Sequence, residues 1–240
     1  MKILRRITKI LAYMGVIVIV ILSLAALFTQ TQFFKDRMRI LLVSSLTQQV
    51  NGTVVLGTIH GNFIEGFTID SVGIYYNDQP VLTTGRVVAQ YDILPFLEKK
   101  LNAHYFIIDQ PRIHLVHSID GRWNFEKLIK PREQSSAGEF DWAGIVEDIE
   151  LKNGSISVID SVSLLSPDRP AASPSAFAYD NFTLKDINLQ LSSAFRKNEY
   201  HATVRHASFY SDQPQFELTN FKGEFEASDR GISIRNVLLQ

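Results

Sequence analysis

The chain has 240 residues, 45% of them hydrophobic, with 24 basic and 25 acidic side chains and no cysteine. Without cysteine it can form neither disulfides nor thiolate metal sites. Residues 1–30 hold Lys2, Arg5, Arg6 and Lys9 and no acid, so the remainder is net acidic and carries no basic stripe, which excludes nucleic acid as the main partner.

Ile10 to Phe28 is an uncharged run of 19 residues. At about 1.5 Å per residue this gives roughly 30 Å of helix, enough to cross a hydrocarbon layer, with Ile10 and Phe28 as its expected ends. Tyr13 suits the interface, and the basic cluster before the run predicts a cytoplasmic N-terminus. Lys35, Arg37 and Arg39, offset by Asp36, weaken that asymmetry without reversing it. A cleaved signal peptide is the rival reading, with Ser23-Leu24-Ala25 as a small-x-small site. The run is longer than an ordinary signal core, and both readings export the body.

Residues 31–50 read as a connector helix. Phe34, Met38, Leu41 and Leu42 share a side, while Ile40 and Val43 point elsewhere, and Asn51-Gly52 supplies a stop. From Val54 the period becomes two, that of strands. Apolar or small residues recur at offsets 0, 2, 5 and 7, and often 9: Val54, Leu56, Ile59, Gly61, Phe63; then Phe67, Ile69, Val72, Ile74. The spacing returns as Phe106, Ile108, Pro111, Ile113, Leu115, and as Ile149, Leu151, Gly154, Ile156, Val158. Later copies begin at Phe182 (with Leu184, Ile187, Leu189, Leu191), at Phe216 (with Leu218, Phe221, Gly223, Phe225) and at Ile232 (with Ile234, Val237, Leu239).

Offset 4 is always polar: Thr58, Ser71, Gln110, Asn153, Asp186, Asn220, Asn236. Two apolar residues two apart share a strand face, and a step of three throws the next onto the opposite face unless a bulge or turn absorbs one residue. The polar position marks that correction, so the chain is expected to bend there while one apolar face keeps its direction. The irregular starts are unlike a strict solenoid.

Between copies, Val87, Ala89 and Tyr91 alternate, Ile93 to Leu101 reads as a short helix with Pro95 in its first turn, and Asp120-Gly121 reads as a turn followed by Trp123 and Phe125 on one face. Lys130 to Gly138 and Pro167 to Pro174 read as loops. The expected organisation is 1–30 span, 31–50 connector, 51–131 first β unit, 132–142 linker and 143–240 second β unit. Because Gln240 follows directly on a complete copy and leaves an edge unpaired, the expectation is that this is the front part of a longer protein.

Catalytic motifs are absent: no Gly-x-Ser-x-Gly elbow, no phosphate-binding Gly-Lys-Ser/Thr loop, no His-Glu-x-x-His. His114 and His117 are three apart and His201 and His206 five apart, and odd separations place strand residues on opposite faces. They read as lone solvent-facing histidines rather than metal ligands. The Asn-x-Ser/Thr matches at Asn51, Asn153 and Asn181 carry no argument. The expectation is a non-catalytic protein without cofactor or metal.

One stretch carries a family resemblance. Gly57-Thr58-Ile59-His60-Gly61-Asn62-Phe63-Ile64-Glu65-Gly66-Phe67, then Ile69-Asp70-Ser71-Val72, Tyr91-Asp92, Pro111-Arg112-Ile113-His114-Leu115, and Asp120-Gly121-Arg122-Trp123-Asn124-Phe125-Glu126-Lys127-Leu128 follow one membrane helix and a short helix. The series resembles the N-terminal region of TamB-like and AsmA-like envelope proteins, and Asn153-Gly154-Ser155-Ile156-Ser157-Val158 fits their next unit. The resemblance implies a bacterial inner-membrane anchor with a periplasmic body: a mainly β fold, its curved, elongated antiparallel-type sheet forming a hydrophobic groove. It implies a role in outer-membrane biogenesis, either moving phospholipid or assembling outer-membrane β-barrel proteins with a TamA-like β-barrel partner. A membrane-anchored β sensor or binding domain is the alternative. The residues expected to line the groove are Phe67, Ile69, Val72, Ile74, Phe106, Ile108, Ile113, Leu115, Ile156, Val158, Leu184, Ile187, Leu189, Phe221 and Ile234.

Overall fold

A computed structural model describes residues 2–130, 142–161, 181–212, 214–229 and 231–240, with the backbone alone for residues 2–8 and 10. The protein is mainly β, with 59% of residues in strands, one apolar N-terminal helix and a large open mixed sheet. Helix α1 (Lys2–Thr29) contains a stretch, Leu11–Thr29, long and apolar enough to cross a membrane, and none of that stretch is buried against the rest of the chain. Helix α2 (Gln32–Gln49) begins where the Thr31 side chain accepts the Phe34 N–H at 3.3 Å, an N-cap that supplies one of the first turn's missing acceptors. It ends at extended Val50, before Gly52. A Cβ on Gly52 would stand 2.2 Å from the Tyr75 carbonyl oxygen, so only glycine lets the chain enter the sheet there.

The strands are β1 (Thr53–Leu56), β2 (Ile59–Asn62), β3 (Gly66–Ile69), β4 (Val72–Tyr76), β5 (Gln79–Thr84), β6 (Arg86–Asp92), β7 (Lys100–Asp109), β8 (Arg112–His117), β9 (Ala143–Asp160), β10 (Asn181–Arg196), β11 (Glu199–Asp212), β12 (Gln215–Leu218), β13 (Phe221–Ser228) and β14 (Gly231–Leu239). Many are halves of longer lines. β1 pairs with β4 and β2 with β3. β5 and β8 pair along one half of the sheet, and β6 and β7 along the other. The breaks fall at the polar positions of the spacing, or at Gly85 between β5 and β6, and are neighbours across the sheet.

This seam is hydrogen-bonded. The Gly57 N–H donates to Ser71 O and Asp70 N–H to Thr58 O; Gly85 N–H donates to Asp109 O, Gln110 N–H to Lys152 O and Ser155 N–H to Pro111 O, all at 2.8–3.1 Å. Gln110, Asn153, Asp186 and Asn236 adopt left-handed φ values of 51°, 53°, 51° and 53°. Each is the offset-4 residue of its copy. A left-handed residue absorbs the extra step of a bulge, and Asn and Asp tolerate that conformation better than most residues. β9–β10, β10–β11 and β13–β14 all shift register at or beside these positions. The phase correction expected from the spacing is therefore a built feature of the sheet.

Three local expectations need correction. The sheet is not antiparallel throughout, because β9 runs parallel to both β7 and β8. A parallel neighbour needs a crossover that returns the chain to its starting end, which a tight hairpin cannot supply. The helix expected over Ile93 to Leu101 is a 3-10 turn at Leu94–Glu98 only, closed by left-handed Lys99, whose N–H bonds Phe96 O; Leu101 is already in β7. Trp123 and Phe125 lie not on a strand but at the start of α3 (Asn124–Leu128). Buried Asn124 holds that helix to β8, accepting from Val116 N–H at 3.0 Å and donating to His114 O at 2.7 Å. The stretches 51–131 and 143–240 contribute to one sheet. The 132–142 linker, apart from Trp142, and the Pro167 to Pro174 loop lie outside the described residues.

Candidate functional site: a continuous apolar face

Residues directly paired across a ladder share a sheet face, so the registers show which side chains stand together. Val54, Ile74, Leu82, Ile113, Ile156 and Leu184 form one row across β1, β4, β5, β8, β9 and β10. On the other side of the seam, Ile59, Ile69, Val87, Ile108, Leu151 and Leu189 form a second. A third runs Phe67, Ala89, Phe106, Ile149, Leu191 and Val204. Leu56 pairs with Val72, and Leu115 with Val158. One packed cluster joins Val54 and Leu56 to Ile59, Ile69 and Val87, so the halves present the same face on both sides of the seam.

Ile187 sits at the seam opposite Gly154, where a Cβ would meet Leu151, Pro111 and Ile187 within 3.3 Å. Phe221 pairs with Leu239 and Ile234 with Phe225 at the far edge. The residues named from the spacing thus occupy paired rows on a single face.

Cover on this face is uneven. Over the first strands, Leu42 and Val43 of α2, with Val50, pack on the cluster, and Val54, Leu56 and Ile59 are buried. Leu128 of α3 is buried beside Gly52. From β9 onward most of the apolar residues are only half-buried, and on β14 Ile234 is 57% and Ile232 80% exposed. The face runs from a covered start to an open edge.

A file of aromatic rings crosses one end of it: Phe28, Phe34, Phe63, Phe67, Tyr91, Phe96 and Trp142, each within 6.2 Å of the next. The Tyr91 hydroxyl donates to Phe63 O at 2.8 Å, and burial raises its pKa. Strand periodicity marks only Phe63, Phe67 and Tyr91 of this file, because the other members come from helices, turns and loops.

The opposite face is polar. Arg205 pairs with Asp148 and donates to Glu147 O, and Gln190 donates to both Asp148 and Glu150. His104 lies between Asp92 at 3.3 Å and Glu147 at 3.4 Å, and the carboxylates, Asp92 first, accept from its ring N–H groups and hold its pKa above the ordinary value. The histidine expectations need revision. His117 is bonded to Asp160 at 2.9 Å and stacked on Trp123 at 4.8 Å between centroids, while His114 bonds Ser157 Oγ at 2.8 Å. His201 and His206 share the polar face after all, because the register shifts between Gln190 and Leu191 and leaves Arg205 unpaired. They bond different partners, Glu226 and Asn220, and no group of three potential ligands disposed to hold a metal occurs among the described residues.

No protein-family model, no curated protein and no solved structure matches this chain.

Proposed function

We propose that this protein is a single-pass bacterial inner-membrane protein whose periplasmic apolar sheet face shelters phospholipid acyl chains on their way between membranes. This is the non-catalytic role that the TamB-like and AsmA-like resemblance implies. The supporting observation is the set of uninterrupted apolar rows, half-buried from β9 onward. Leaving such a face in water is unfavourable by about 25 cal/mol per Å². An acyl chain in water suffers the same penalty, about 0.8 kcal/mol per methylene. Contact between the two removes both costs and requires no bond chemistry.

The test is transfer of labelled phospholipid between vesicles by wild type and by a double variant, Ile156→Glu with Leu189→Glu. Because both positions are only partly buried, the fold should persist by circular dichroism while transfer falls roughly tenfold or more, the charges being costly beside hydrocarbon. Unchanged transfer rules out the conduit.

A second reading, assistance in assembling outer-membrane β-barrels with a TamA-like partner, draws on β14. Among the described residues its outer side has no strand partner, and exposed strand edges recruit other strands. Crosslinking from β14 to nascent barrel strands rather than lipid favours that role.

A further inference from the structure

The end of the sheet crossed by the aromatic file has a second set of features. Leu94 and Leu97 in the 3-10 turn are 74% and 86% exposed, although Phe96 between them is packed against Tyr91 and Trp142. Pro95 and left-handed Lys99 fix that turn, so two large apolar side chains are held outward on a rigid knob. Beside it, Lys100, Ala143 and Arg196 are neighbours in one cross-strand row. Lys99, Lys100, Arg196 and Lys197 surround an open depression of about 470 Å³ that Trp142 also lines. Glu98 pairs with Lys100 at 2.6 Å, and Glu199 and Asp229 lie beside Arg196 and Lys197; among the described residues the four basic side chains outnumber these three acids.

The same end receives the apolar helix: Phe28, in the last turn of α1, is the first ring of the file that reaches Phe96. Apolar tips ringed by aromatic and basic side chains suit the headgroup layer, where hydrocarbon lies just below a plane of phosphates. We propose that this end of the sheet is a second membrane contact. Leu94 and Leu97 enter the surface of the leaflet from which α1 emerges, while Lys99, Lys100, Arg196 and Lys197 face the phosphates of anionic phospholipid. The mouth of the apolar face then rests on the membrane. This rests on α1 spanning the bilayer and on no other part of the transport reading.

Because the chain has no cysteine, single labels are clean. The full chain is reconstituted in vesicles of phosphatidylethanolamine and phosphatidylglycerol, with an environment-sensitive fluorophore on Leu97→Cys, Ile19→Cys, Ile119→Cys or Asn77→Cys. Lipids brominated in their acyl chains should quench the probes at Leu97 and Ile19. They should spare Asn77 and Ile119 at the opposite end, although Ile119 is itself 72% exposed. Omitting phosphatidylglycerol should weaken quenching at Leu97 several-fold; no change there overturns the assignment of the basic residues. Equal quenching at Leu97 and Ile119, or none at Leu97 beside a quenched Ile19, overturns the contact. An unquenched Ile19 overturns the spanning helix on which it rests.

Discussion

Ser211 stands on the apolar face between Leu184 and Phe216, fully buried, with a hydroxyl that has no hydrogen-bond partner among the described residues. A buried unsatisfied hydroxyl costs about 1–3 kcal/mol, so Ser211→Ala should stabilise the protein by about 1 kcal/mol in denaturant unfolding. A loss of stability would mean that the hydroxyl is satisfied. Asn153 supplies a left-handed bend, which glycine adopts freely and β-branched residues resist. Asn153→Gly should be nearly neutral, and Asn153→Val should cost about 1–2 kcal/mol by the same measurement. His117 donates to the Gly121 carbonyl and bonds Asp160, and these contacts raise its pKa above the ordinary 6.5. Its contribution to stability is therefore fully present below its unfolded pKa and is lost as pH rises through the folded one. The melting temperature should fall across that window in wild type, and His117→Gln should flatten the fall. At this scale the sequence was only partly legible: the polar offset-4 residues were visible as a pattern, whereas the partners of His117 and His114 come from β9, far away in the chain.

Among the elements, the apolar helix, the connector helix and the strands announced themselves through length and period, and their registers follow from the apolar spacing. The errors have separate causes. Parity along a strand fails wherever a bulge intervenes, which is why His201 and His206 were assigned to opposite faces and are found on one. Exposed Leu94 and Leu97 resembled a helix because Pro95 opens helices and 3-10 turns alike. The parallel placement of β9 depends on a crossover that no local signal encodes. If the seam sets the phase, Asp186→Val, which resists the left-handed bend that absorbs the extra residue, should turn Ile187, Leu189 and Leu191 toward the polar side. Such a protein should lose its resistance to limited proteolysis. A valine variant as resistant as wild type would show that the bulge is dispensable.

For the molecule as a whole, the two sheet edges differ. The first is short, broken and flanked by α2 and α3, and Asn51 N–H bonds Leu128 O at 2.7 Å. The last, β14, keeps the interior pattern, with Asn236 at the bend and apolar residues exposed. From β1 to β10 the apolar rows run unbroken, although the crossover makes the sheet mixed. That continuity, rather than any enclosed pocket, is the property on which the proposed role depends. The direct test is a photo-crosslinking residue placed in living cells at Ile156 or Leu189 on the apolar face, and at Glu150 or Gln190 on the polar one. Phospholipid adducts at the first pair and none at the second are expected. Adducts absent from the first pair, or equal on both faces, contradict the account.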